Sequence, residues 1–299
     1  MIPINQILAK VNHQKYIGDR HAIVSNPIVF LEKNDDPTAL MWFSDKNIET
    51  VKKVEKGTVI CSNLFSDFNK DCNYIITDKP RLTFQEVLKN FYIEEEAVYI
   101  SKTAFIDPTV SIGKNVKIGN FVTIEKNCLI GNSVKIDHNT VIKKGTVIED
   151  NVTIGCNCTI GGVGFGYELN VENNYEVLPH IGNVVLKRNV EIGNNTCIDR
   201  AVLGSTMIDE NAKIDNLVHI AHGVKIGKNS LIIANAMIAG STIIGDNVWV
   251  APSASVLNKR TVADNSYIGM GAVVIKDVSS NETIIGNPGR VLVKSKNKS

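Results

Sequence analysis

This chain has no run of apolar residues long enough to cross a bilayer. Its opening segment, MIPINQILAKVNHQKYIG, also lacks the apolar centre of a signal peptide. A soluble, cytoplasmic protein with no membrane partner is the expectation. Charge of one sign is missing as well. Thirty-two basic residues against thirty-one acidic ones leave a formal charge of +1, which gives no basis for nucleic acid or an anionic surface as a partner. The six cysteines include no CxxC pair and no disulfide-like framework, which fits a reducing compartment. Only 6% of the residues are aromatic, and the core must be built from something else.

That something is isoleucine, and it comes in sixes. Ile106, Ile112, Ile118, Ile124, Ile130, Ile136, Ile142, Ile148, Ile154 and Ile160 each follow the last by six residues. Four places after most of them stands a small or β-branched residue, such as Val110, Val116, Cys128, Thr140 or Cys158. The phase returns at Leu186, Ile192 and Ile198, slips by four residues over Gly204–Met207, and runs again from Ile208 to Val274. A fixed short period sustained this long marks a repeat architecture.

Six fits neither a 3.6-residue helix nor simple alternation. It fits a short strand, a corner and another short strand, with one large apolar residue per wall pointing inward and the fifth place also inward. Pairs such as Gly113–Lys114, Gly131–Asn132 and Gly245–Asp246 supply the tight turns. Stacked coils then bury one continuous core, each touching only its neighbours. An antiparallel sandwich would not keep its turns phase-locked over so many units.

The first hundred residues lack this period. Ala39–Ser44, Gly57–Cys61 and Tyr74–Thr77 read as strands. Leu82–Phe91 places Leu82, Val87, Leu88 and Phe91 near one helical face. The expectation is mainly β: a parallel β-helix at 103–279 behind a small α/β domain at 1–102, with a cap and tail at 280–299.

Two stretches of the repeat carry candidate chemistry. GGVGFGYELNVENNYEVLP, within 161–180, is too long for a corner, and a long loop thrown from a rigid solenoid is a functional candidate. Its glycines are followed by no helix, so they are no phosphate cradle. DNLVHIAHGVKIG places His219 and His222 at outward places of their hexads. Their spacing is not that of a helical zinc pair and no third ligand is in sight, so no metal is expected. His138 falls at a corner and reads as a solvated side chain.

The pattern [Ile/Leu/Val]-Gly-x-x-[small]-x resembles the left-handed β-helix of hexapeptide-repeat acyltransferases, in which three hexads make one triangular coil. ALMWFSDKN, TVIC and YIITDKPRLTFQEVLKNF, together with GFGYE, CIDRA and IAH, resemble the lipid A pathway N-acyltransferases that act on UDP-3-O-acylglucosamine. That resemblance implies a nucleotide-binding role for the first domain, with Phe43 and Asn47 at the base; Trp42, beside Phe43, would widen the stacking surface. It places Phe165 and Tyr167 of the loop at the substrate and makes His222 the general base. Gly240, one coil on in IAGST, would let a thioester carbonyl approach the backbone, where an N–H steadies the oxyanion. Asp215 and Asn216 would orient a histidine or bind sugar hydroxyls, Asp199 and Arg200 phosphate or sugar, and His219 would flank the base.

The chain departs from that family in three places. Gly223, not asparagine, follows IAH. Lys259 and Arg260 stand where the family carries a second histidine. The chain closes with IGMGAVVIKDVSSNETIIGNPGRVLVK rather than with helices, an ending that resembles hexapeptide acetyltransferases using coenzyme A. This resemblance implies that Asn258, Lys259, Arg260, Lys276 and Arg290 meet the negative groups of coenzyme A. The combined expectation is an N-acyltransferase moving an acyl group from acyl-coenzyme A to a dTDP-4-amino-4,6-dideoxyhexose for a cell-surface polysaccharide, similar to the anthrose-pathway enzymes. Two alternatives stand beside it: the lipid A pathway N-acyltransferase using acyl carrier protein, and a non-catalytic β-helix scaffold. The relatives imply a homotrimer.

Overall fold

The computed structural model describes residues 1–28, 34–63, 66–94 and 97–292. The chain divides into two compact units, Met1–Glu96 and Ala97–Ser299.

In the first unit a five-stranded sheet runs in the order Lys15–Ile17, Cys72–Ile76, Gly57–Cys61, Ala39–Trp42, Asn26–Pro27. The first pair is antiparallel and the rest are parallel. Both faces of the central strands are covered, so they read as continuous apolar runs. Ala39, Met41, Val59, Cys61 and Tyr74 pack on one side. Leu40, Ile60 and Ile75 pack on the other against Ile4, Ile7 and Val87. The expected helix begins two residues early, at Pro80, where the fixed φ of proline suits a first turn. The short helices Ile4–Leu8 and Ile48–Val51 gave no periodic signal because each spans barely one turn.

The second unit is a triangular parallel β-helix. Its three walls are sheets of eight, ten and nine strands among the described residues. We call them the first wall (Ser111–Ile112 to Thr261–Val262), the second (Lys117–Ile118 to Arg290–Val291) and the third (Phe105–Ile106 to Val273–Val274). Register runs in steps of one coil: Ile118 pairs with Ile136 and Ile136 with Ile154. The isoleucines form a single column of buried side chains. Each fully buried one contributes roughly 1.5–3 kcal/mol relative to exposure. Where the fifth place is polar, the hydroxyl is satisfied: Thr140 Oγ1 donates to the Gly155 carbonyl at 2.7 Å, and Ser230 Oγ to that of Gly245 at 2.7 Å. Cys128 and Cys158 lie in the same column as small buried side chains.

The corners are made differently from the sequence expectation. At most corners the left-handed residue is the third after the inward isoleucine or valine, not the glycine that directly follows it. Fourteen of the twenty described non-glycine residues with positive φ are asparagine, among them Asn115, Asn127 and Asn139. Asparagine tolerates that region because its short side chain bonds locally. The glycines serve close stacking instead: a Cβ on Gly113 would stand 2.6 Å from the Gly131 carbonyl carbon one coil on. Side chains then stitch two of the corners from coil to coil. Asn132 Oδ1 accepts the Lys114 N–H at 2.9 Å, and Asp150 Oδ1 accepts that of Asn132 at 2.6 Å. His138 is one of these stitches, its Nδ1 accepting the Asn120 N–H at 2.7 Å, so it is not merely solvated.

The four-residue slip lies slightly earlier than the spacing indicated, in the bend at Ala201–Gly204, before the strand Ser205–Ile208. Its cause is the long loop, whose returning end docks on that bend. Ile181 N–H donates to the Val202 carbonyl at 3.0 Å and Gly182 N–H to that of Ala201 at 3.1 Å. The loop itself folds back as a hairpin, Tyr167–Leu169 against Tyr175–Val177.

Candidate functional site

The loop leaves the corner between the third and first walls. The same corner, farther along the axis, presents His222, Gly240 and Lys259. A pocket of about 340 Å³ is lined there by Phe165, Asp199, His219, Ala221, His222, Met237, Ala239, Gly240, Ser241, Asn258 and Lys259. The strand His219–Ile220 sends Ile220 into the core and His219 outward, as strand alternation requires. His222 follows two residues later on the corner, outside the isoleucine column. Phe165 lines the pocket from the loop and is 85% exposed, 4.9 Å centroid to centroid from Tyr167.

Two glycines make room for the His222 ring. A Cβ on Gly240 would stand 2.8 Å from both Cε1 and Nε2 of His222, and one on Gly164 would stand 2.9 Å from its Cβ. The space a Gly240 side chain would fill is therefore taken by the imidazole, while Gly240 itself still lines the pocket. Gly223, where the resemblance led to asparagine, takes the left-handed corner with φ +69° and donates its N–H to Thr206 Oγ1 at 2.8 Å.

A histidine that the sequence reading passed over completes the site. The His180 ring lies edge-on to His222, with centroids 5.2 Å apart and planes at 79°. It is 6% exposed, and its Nδ1 lies 2.6 Å from the Leu178 carbonyl. Asp199 stands on the third wall with Oδ2 3.6 Å from His219 Nε2, too long for a good hydrogen bond but close enough to attract a protonated ring. Burial, and then the neighbouring His180, hold His222 below the ordinary imidazole value, against a weaker opposing pull from Asp199. Burial pushes Asp199 above the usual carboxylate range, against the pull of His219, His222 and His180. Both shifts favour the uncharged forms, and an uncharged imidazole at a pocket wall can accept a proton.

Other expected residues lie elsewhere. Arg200 is 3% exposed and its Nε donates to the Gly161 carbonyl at 2.7 Å, so the guanidinium fastens the start of the loop and does not meet phosphate or sugar. Asp215 and Asn216 belong to the corner between the second and third walls. There Asp215 Oδ1 accepts the Asn216 N–H at 2.7 Å and Asn216 Oδ1 accepts that of Asn194 at 2.7 Å. They are corner stitches outside the pocket. Asn258 and Lys259 line the pocket, whereas Arg260 faces Asp277 at 3.7 Å and Lys276 and Arg290 are exposed away from it. Among the described residues no cluster of His, Cys, Asp or Glu could hold a metal, and no helix is long and apolar enough to cross a membrane.

In the first unit, Trp42, Phe43 and Asn47 do come together. They line a cavity of about 590 Å³ with Ser44, Thr50, Phe84 and others. Trp42 is half-buried, its ring 6.4 Å from that of Phe84. Phe43, 6% exposed, is a core residue that shows only an edge.

Known proteins match this chain in several segments. A family model described as the GMPPB C-terminal domain matches residues 87–180, and one described as the bacterial transferase hexapeptide matches residues 205–240. The UDP-3-O-acylglucosamine N-acyltransferase of Caulobacter vibrioides is 55% identical over 141 residues, 47% of this chain and 41% of that protein. The enzyme of that name from Campylobacter lari is 44% identical over 209 residues, 66% of each chain. That from Cytophaga hutchinsonii is 54% identical over 84 residues, 28% of this chain and 24% of the relative, so the matches span from about a quarter to 66% of the length of these relatives. Among solved structures, a UDP-N-acetylglucosamine acyltransferase from Bacteroides fragilis superposes with a TM-score of 0.58 at 27% identity, covering 65% of this chain and 74% of that one. The fold is mainly β, a left-handed parallel β-helix of hexapeptide repeats. These relatives overturn the expected dTDP-4-amino-4,6-dideoxyhexose acceptor, since they are named for UDP-linked glucosamine substrates. The acyl-coenzyme A donor, which was tied to that reading, falls with it.

Proposed function

We propose that this chain, a hexapeptide-repeat left-handed β-helix of the acyltransferase family, transfers an acyl group from an acyl carrier protein thioester to the amino group of a UDP-3-O-acylglucosamine. The observation that carries the reading is the His222 imidazole, bordering a pocket beside Asp199 and His219 and held below its ordinary pKa by burial.

The chemistry follows from that group. The neutral amine attacks the thioester carbonyl, the new C–N bond forms, and the adduct must lose an amine proton. His222 takes it. Collapse breaks the C–S bond, and the thiolate leaves with a proton returned from the imidazolium. The negative oxygen of the intermediate needs a fixed donor, and the Gly240 backbone N–H is our candidate. His219 with Asp199 flanks the amine, while Asn258, Lys259 and Phe165 border the space for the two substrates. In the first unit, the Trp42 ring would stack on the uracil with Asn47 at its edge, since every base offers a π-face. As in the relatives to which the resemblance points, the assembly would be a homotrimer.

The test is incubation of the purified chain with UDP-3-O-acylglucosamine and 3-hydroxyacyl carrier protein, followed by mass spectrometry. An N-acylated UDP sugar supports the reading; its absence at high enzyme concentration sinks it. Trp42→Ala should raise KM for the sugar nucleotide with kcat nearly unchanged.

A further inference from the structure

We propose that His180 is a positioning residue for the His222 base, tying the long loop to the imidazole and fixing where that ring stands. The inference rests on the reading of His222 as the base.

The geometry is specific. A carbonyl only accepts, so the 2.6 Å contact to Leu178 puts the hydrogen on His180 Nδ1. In the neutral ring Nε2 then carries the lone pair. That nitrogen is buried and has no hydrogen-bond partner among the described residues. A buried acceptor without a partner costs free energy that a packing role alone would not require. An apolar ring of the same shape would fill this space without that cost. The environment accounts for the choice. Gly164 and Gly166 cover the ring from the loop, where a Cβ would stand 2.9 Å from Nε2 and 3.2 Å from Cε1 respectively. His222 faces it from the corner. The same Gly164 that seats His180 also touches His222. His180 is thus a loop side chain packed on the base, held by the loop's own backbone. The ring also covers His222, and burial is the largest cause holding that imidazole below its ordinary value.

Two variants separate positioning from mere packing. His180→Asn places an amide N–H where Nδ1 stood, keeping the Leu178 tie and removing the ring edge. His180→Ala removes both. In the ligand-free full chain, NMR titration should show the His222 imidazole midpoint moving up toward its ordinary value in both variants. The acid limb of kcat/KM should move the same way. Turnover should fall about ten-fold or more, as a misplaced base predicts, with KM for the sugar changed less than about two-fold. An unmoved His222 midpoint and acid limb in folded His180→Asn would overturn the proposal, as would loss of the fold in both variants. Turnover surviving in His222→Ala would instead remove the underlying functional reading, so the two failures are distinguishable.

Discussion

His138 and His222 occupy the same place in the repeat, two residues after Ile136 and Ile220, on different corners of one prism. At the corner between the second and third walls, His138 accepts the Asn120 N–H through Nδ1 at 2.7 Å and becomes one rung among many. At the corner between the third and first walls, His222 borders a pocket with Asp199, beneath a loop that brings His180 against it. The residue type and the local backbone are alike. What differs is whether the neighbouring coil spends the imidazole on a backbone N–H or leaves it facing a pocket. Position within a hexad therefore says where a side chain points, and the corner's neighbours say what it does.

The sharpest way to break the comparison is to delete each ring. His222→Ala should lower kcat/KM about 10²–10⁴-fold, the usual worth of a positioned general base, while His138→Ala should leave it unchanged within error. A milder break acts through the glycines. A Cβ on Gly240 would stand 2.8 Å from His222 Nε2, and one on Gly119 would stand 2.7 Å from His138 Nδ1. Gly240→Ala should cost up to about 10²-fold in kcat/KM by displacing the base, whereas Gly119→Ala should show only in the melting temperature.

The scaffold under both rings should respond equally. Ile136→Ala and Ile220→Ala each empty a buried place in one continuous core and should each lose about 2–5 kcal/mol in denaturant unfolding. The pH profile sharpens the difference between the rings. Because burial and His180 depress His222, it stays a free base to lower pH than an ordinary imidazole. The acid limb of kcat/KM should accordingly fall below the ordinary imidazole value, and activity should persist into mildly acid buffer. The smallest effect is on the stability of His138→Ala, about 1 kcal/mol for one lost hydrogen bond.

The isoleucine column was legible because it repeats, and a repeat places every inward side chain at once. The corner chemistry was half legible. Asparagine recurs at the left-handed place, yet the adjoining glycines drew attention as turn formers when their work is to let coils approach. The pocket was legible only as far as the hexad count reached. His219, His222, Gly240 and Lys259 fall on or beside one corner by counting. Asp215 and Asn216 were misplaced because their corner is fixed only by tracking which wall each hexad builds. Arg200 faces the start of the loop, whose burial no local pattern announces. His180 is 42 residues before His222, at the end of an aperiodic loop. The one available signal was that the loop departs from and returns to the corner that later carries His222.

The most direct test sets His222→Ala and His138→Ala beside the unaltered chain in one assay of acyl transfer to UDP-3-O-acylglucosamine. The account predicts that N-acylated product nearly vanishes in the first and is undiminished in the second. Equal rates in all three, or a loss confined to His138→Ala, would contradict it.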